Sequence, residues 1–363
     1  AHIESGTNNG ITGCDIYEVA MGGIVLKGGD RATLTPAGNF AVNNHIHHYS
    51  KWTQTYQAAI RMEGVGNRLA HNHIHHAPHT GIVPFGNDQV IEYNELHHLA
   101  LQTGDVGAIR FDGIVTERGN VVRYNYFHHI LGPGKAGAIG VYLDDFTCGV
   151  TVYGNIFYRV GRATFIGGGR DNTIENNIMI EGDPAVHIDA RGLSWAKKNI
   201  TYRFPEMYEK RYDEPPYSER YPELLGYFND NPAMPIDNRI LQNISYGGWW
   251  LEVDDTLDPS ILEMKDNLIA DPILVKMRLD LRVDPSDSSR FRDDVLVYPS
   301  GDRKIREKFA GNLIIDSDPG FVDAANEDFR LREDSPAWKL GFKRIPIEKI
   351  GLMKDEYRTT LSE

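Results

Sequence analysis

Apolar residues recur along this chain in short alternating runs, not at helical spacing. Each run ends in charge or in a turn residue. Alternation of this kind buries one face of a β-strand. One set of runs reads FAVNN, NRLAHN, QVIEYN, NVVRYN, VTVYGN and NTIENN. A second set follows directly: HIHH, HIHH, ELHH, YFHH, IFYR, IMI. After a variable loop comes a third: GIVL, AAIRME, TGIVPF, GAIRFD, GAIGVYL, ATFIGG, PAVHID. The Asn between the first two runs falls at Asn44, Asn72, Asn94, Asn125, Asn155 and Asn177, in steps of 28, 22, 31, 30 and 22 residues. A fixed local grammar at uneven steps predicts an all-β, right-handed parallel β-helix with three strands per coil. The Asn is expected to take the left-handed turn itself and to ladder with its neighbours along the axis.

The rhythm breaks after Ile188. Residues 193–240 form a long insertion rich in Tyr, Pro and charge, with a short helix expected around Pro205–Arg211. The repeat resumes with Asn243 and continues through Asn267 and Asn312. Residues 276–310 read as a solvated charged excursion, and 311–363 as a closing coil and C-terminal cap. Caps are needed because a solenoid end is an open edge. The whole of 1–363 reads as one domain. The opening AHIESG already lies inside the repeat, which predicts a processed or truncated start.

Aligning the third strands on their apolar positions puts Ile109, Ile139 and Phe165 inward, then Phe111, Val141 and Gly167. Arg110, Gly140 and His187 then face out in one column, and Asp112, Tyr142, Gly168 and Asp189 in the next. Asp144, Asp145, Arg170 and Arg191 follow beyond. The picture is a charged rim around a floor of bare backbone at Gly140 and Gly168, since glycine inside a strand marks close approach of something. Coils about 4.8 Å apart and a rise of about 3.3 Å per residue put Asp112 and Asp144 roughly 8 Å apart, one coil and two residues removed. That separation suits the acid and base of an inverting glycosidase. Asp145 with Asp189 is a second candidate pair. Arg110, Arg170, Arg191 and His187 would grip substrate, and Tyr142 would stack on a ring or bond a hydroxyl; Trp249 and Trp250 in GGWW read either as core or, for Trp249, as a residue beside the groove.

The stacked histidines at 47, 75, 97 and 128, and at 48, 76, 98 and 129, invite a metal reading. Their constant offset from the Asn turn favours turn and stacking roles, and no metal is assigned. Formal net charge is −13, with 51 acidic against 38 basic residues, which disfavours nucleic acid or an anionic membrane as partner. Cys14 and Cys148 lie in distant repeats and are expected to be free, buried thiols. No apolar run reaches membrane-spanning length.

TGDVGAIRFDG, GAIGVYLDD, ATFIGGGRDN, AVHIDARG and the ending FRLREDSPAWKLGFKRIPIEKIGL resemble the β-helix glycoside hydrolases of family 141. That resemblance covers most of the chain from about residue 40. It implies α-L-fucosidase- or xylanase-like hydrolysis of plant or algal cell-wall glycans. More broadly the chain is similar to the pectin lyase-like superfamily. Polygalacturonases there carry an Asp, then an Asp pair, then a Gly-containing coil, then a basic residue, and Asp112, Asp144–Asp145, Gly168 and Arg191 echo that order. The expectation is a secreted or periplasmic, monomeric glycosidase acting on an oligo- or polysaccharide without a cofactor. One alternative is a Ca²⁺-dependent polysaccharide lyase with Lys27, Arg61 or Arg110 as base. The other is a non-catalytic glycan-binding solenoid.

Overall fold

The structure is a computed structural model that describes residues 1–254, 256–278 and 295–361. Among them the chain winds into three long sheets, each coil contributing one short strand to each. The first sheet has 11 strands and runs from His2–Ile3 to Ile273–Arg278, with Val295–Pro299 added antiparallel at its end. The second has 9, from Gly10–Thr12 to Glu263–Lys265, and the third 10, from Asp15–Tyr17 to Leu313–Ile314. All other pairings within these three sheets are parallel, each strand bonding its equivalent one coil away. This is the expected all-β parallel β-helix.

The Asn ladder forms. Each side-chain NH₂ donates to the carbonyl of the next, from Asn44 to Asn72 at 2.9 Å, through Asn125 to Asn155 at 2.9 Å, and across the insertion from Asn177 to Asn243 at 2.9 Å. The left-handed backbone belongs to the residue before each ladder Asn: Asn43, His71, Tyr93, Tyr124 and Asn176 have φ of 54–59°. The ladder Asn is thereby freed to spend its amide on the coil beyond. A second ladder runs along another edge, where Gln89 N donates to Asn120 Oδ1 at 3.0 Å and Asn172 Nδ2 to Asn238 Oδ1 at 3.1 Å. The sequence carries it as the Asn or Gln opening most second-sheet strands (Val150 and Leu262 stand there in two), a signal masked by the stronger Asn that closes them.

Stacked apolar columns fill the interior. In the first sheet Ile82, Ile109, Val141, Thr164, Val186 and Leu251 pair in one column, and Phe111, Leu143, Ile166, Ile188 and Val253 in the next. This corrects the alignment above. The repeated GAI at 107–109 and 137–139 suggests that Ile139 matches Ile109, but Ile109 pairs with Val141 and the acidic ends come level, Asp112 beside Asp144. The pairing offset is 32 residues on both sides of Ala108 and Gly140, two more than the spacing of the GAI repeat. A Cβ on Gly140 would fall 2.7 Å from the Phe157 ring, so Gly140 faces the core and is no groove floor. Phe165 turns outward, and Thr164 takes its inner place with its hydroxyl donated to Ala185 O at 3.1 Å.

The insertion holds the expected helix at Phe204–Glu209. Met207, Tyr217, Leu224 and Tyr227 pack on Val115 and Cys148, so the segment lies along the loops that leave the first sheet. Glu206 accepts from Thr116 Oγ1 at 2.6 Å and Arg31 Nη2 at 3.1 Å. The middle of the expected excursion at 276–310 lies outside the described residues. On either side of it, Arg278 ends one strand, Val295–Pro299 pairs with that strand, and Arg303–Lys308 is helical, capped by Asp302. The C-terminal residues do more than close the last coil. After the hairpin Phe321–Asp323/Asp328–Leu331 they run back as a strap over the outside of the coils. Lys343 N bonds Asn176 Oδ1, Gly351 N bonds Tyr93 O, Met353 N bonds Asn43 Oδ1, and Arg358 reaches Asp15 at 2.7 Å. Both cysteines are free, Cys148 buried and Cys14 only partly so.

Candidate active site

The C-terminal ends of four first-sheet strands come level on the outer face: Val106–Asp112, Ala138–Asp144, Arg162–Gly167 and Val186–Asp189. Their register places Asp112 beside Asp144, and Gly167 beside Asp189. Asp112 and Asp144 therefore sit one coil apart with no offset, about 4.8 Å between backbones, and not the roughly 8 Å expected. A strand that ends in an acid at the same height on successive coils stacks like charges, and something must offset their repulsion.

Two arginines do so. Arg110 Nη2 lies 2.9 Å from Asp112 Oδ1 and 3.1 Å from Asp144 Oδ2. Arg191 lies deeper, its side chain 4% exposed. Its Nε donates to both Asp189 oxygens at 2.9 and 3.0 Å, and its Nη1 to Asp144 at 2.7 Å and Asp145 at 3.0 Å. The guanidinium occupies the slot left by the missing side chain of Gly167, where a Cβ would stand 2.6 Å from its central carbon. Gly167, not Gly168, is thus the glycine that shapes this face. Gly168 turns the chain with φ +72° beneath the stem of Arg191.

Exposure separates the acids. Asp144 and Asp189 are nearly covered, whereas the side chains of Asp112 and Asp145 are 37% and 34% exposed. Burial pushes the Asp112 carboxyl above the usual Asp range, and the charges of Asp144 and Asp145 add to the rise against the pull of Arg110. Burial also raises Asp189, although Arg191 opposes it. For Arg110, burial alone would lower the pKa, but Asp112 and Asp144 outweigh it and the net shift is upward.

Other expected residues lie elsewhere or act differently. Arg170 turns to the insertion, 3.0 Å from Asp237 and 3.5 Å from Asp230, and so fastens that segment. His187 is buried against the Phe165 ring at 3.9 Å, and neither of its nitrogens has a hydrogen-bond partner. Tyr142 stacks on the other face of Phe165 at 4.9 Å and donates to Asp105 at 3.3 Å, so its ring is not free for a ligand. Trp250 is core, while Trp249 lies under the Lys276 ammonium. Among the described residues, Arg170, His187, Tyr142 and Trp249 make no hydrogen bond to the carboxylates of the cluster.

Two exposed aromatics absent from the sequence reading flank the cluster instead. Arg110 lies 5.6 Å from the Tyr56 ring, which is 73% exposed, and Arg191 lies 5.4 Å from the Trp195 ring, 70% exposed. Arg203 of the insertion approaches Asp145 at 3.6 Å. Tyr56 and Trp195 lie outside the strand repeat, so periodicity could not single them out. The available signal was chemical: large aromatics in polar loops next to the acid-bearing coils.

The family model for a right-handed β-helix region matches residues 58–203, which span the whole acid cluster. No curated protein and no solved structure matches the chain. Regions of this kind are found in carbohydrate-active enzymes, pectate lyases and glycoside hydrolases among them, and this chain has their right-handed parallel β-helix.

Proposed function

We propose that the chain is a glycoside hydrolase acting on a plant or algal polysaccharide, with its active site at Asp112, Asp144, Asp145 and Asp189. The observation that carries this reading is the pairing of two accessible carboxyls, Asp112 and Asp145, with covered acids held by Arg110 and Arg191. Asp112 is the general acid: its raised pKa keeps a proton available for the leaving oxygen. Asp145 is the base that takes a proton from water. Asp144 and Asp189 hold Arg191 in place, and Arg191 in turn orients the Asp145 carboxylate. Tyr56 and Trp195 are the platforms for rings on either side. The resemblance to family 141, together with the order of Asp112, Asp144–Asp145 and Arg191, supports a hydrolase over other carbohydrate chemistry. A secreted or periplasmic location would follow from such a substrate.

Inversion is expected for the pair Asp112 and Asp145. Asp112 and Asp144 oxygens share one nitrogen of Arg110, which brings them closer than the ~6.5–9.5 Å typical of inverting pairs. A retained anomer would therefore make Asp144 the nucleophile. The lyase alternative requires a basic residue able to lose its proton, and Arg110 is held more firmly protonated than usual.

A panel of defined oligosaccharides, followed by proton NMR, tests the proposal. The expected result is a new reducing end without ultraviolet absorbance. Asp112→Asn should lower kcat/KM by about 10²–10⁴-fold. Ultraviolet-absorbing products, or full turnover by the Asn variant, would refute this assignment.

A further inference from the structure

The outer face of the third sheet carries most of the chain's 14 histidines, on a different side of the coil from the acid cluster. His45, His73 and Glu95 occupy one register column, and His47, His75, His97 and His128 the next. We propose that this face binds a divalent transition-metal ion of the zinc class, ligated by His73, Glu95 and His97.

The ligand atoms of these three residues all lie within 4.8 Å of one another. His73 Nε2 and His97 Nε2 face each other at 2.8 Å, so one proton at most can sit between them. A metal ion takes the place of that proton. At Zn–N distances of about 2.0–2.1 Å, two ligands at a tetrahedral centre stand about 3.3 Å apart, which a small rotation of either ring provides. Glu95 Oε1 lies 4.0 Å from His73 Nε2 and supplies a negative charge. Two other trios, His45–His73–His75 and His75–His76–His97, offer imidazoles only and leave the ion's charge unmatched.

The surroundings are those of a supported site. His128 Nε2 lies 3.3 Å from the Glu95 carboxylate, and His98 Nδ1 lies 2.7 Å from His97 Nδ1. Such outer partners fix the tautomer and the ring plane of a ligand. Two imidazoles and one carboxylate leave a fourth position for water, and this donor set suits zinc, copper or nickel better than calcium or magnesium.

The experiment is calorimetric titration of tag-free, EDTA-stripped protein with ZnCl₂, with bound zinc counted after gel filtration. One zinc per chain is expected, with a melting temperature that rises with zinc concentration. His73→Gln and Glu95→Gln should each weaken binding at least ~10-fold, the lower bound for loss of an outer partner alone. His129→Gln, in the neighbouring column, should bind like the parent. Glu95→Gln keeps the side chain's shape and decides the matter if the His73 variant misfolds. No zinc binding by the parent, equal binding by the parent and Glu95→Gln, or tighter binding of CaCl₂ than of ZnCl₂ would overturn the proposal.

Discussion

Gly167 shows how much of the candidate site depends on one absent side chain. Gly167→Ala would drive a methyl group into the Arg191 guanidinium, which three carboxylates hold in place. The expected outcome is displacement of Arg191 and loss of most turnover, measured as kcat/KM, with a smaller change in melting temperature. Asn125 is the opposite case. Its amide donates to Asn155 Oδ1 at 2.9 Å and its carbonyl accepts from Asn94 Nδ2 at 2.9 Å, all fully buried. Asn125→Ala orphans groups on both neighbours and should cost about 1–3 kcal/mol per unsatisfied group by urea unfolding. Both acids and ladder residues were legible in the sequence, because charge at the end of an apolar run and a recurring Asn are period signals. Gly140 and Phe165 were not. Register decides the face, and the ladder that forms pairs Thr164 with Val141 and Ile109 with Val141, which an alignment on the most apolar residues does not give.

Among elements, the insertion was legible as an interruption but not as a fastening. Tight packing on the first-sheet loops accounts for most of its aromatic density. Only its near end, with Trp195 and Arg203, meets the acid cluster. Trp195→Ala should therefore raise KM for a polymeric substrate several-fold and leave thermal stability unchanged, since the ring is mostly exposed. Glu206→Ala releases Thr116 and Arg31 together. The expected result is faster proteolytic cleavage within 204–226, with the solenoid itself intact. Neither contact follows from periodicity, because both join residues about 90 or more positions apart in sequence.

Across the whole molecule, buried neutral imidazoles make stability depend on pH. Burial, then Arg110, hold His79 down at about 4, and burial with Arg162, Arg278 and Arg191 holds His187 well below its ordinary value. The unfolded chain takes up these protons near pH 6.5, while the folded chain refuses them. Their contribution is therefore full above about pH 6.5 and is lost progressively as pH falls toward the folded values. Melting temperature should drop between pH 7 and pH 5, and His79→Gln should flatten that slope. The overall coil was readable from sequence because a solenoid repeats its instructions. The strap was not: its partners Asn43, Tyr93 and Asn176 all stand just before a ladder Asn, a left-handed place that differs in residue type from coil to coil.

That strap has a further consequence for how this molecule can change. Solenoids commonly lengthen or shorten by duplicating or dropping a coil, since each repeat answers only to its neighbours. Here Gly351 grips Tyr93 and Met353 grips Asn43. Two residues of chain, about 7 Å when extended, bridge anchors two coils apart, at about 4.8 Å per coil. No slack remains in that span. The strap acts as a ruler laid along the stack, and an extra coil between Asn43 and Tyr93 would pull its marks out of line. The number of coils there is fixed by a segment that belongs to none of them.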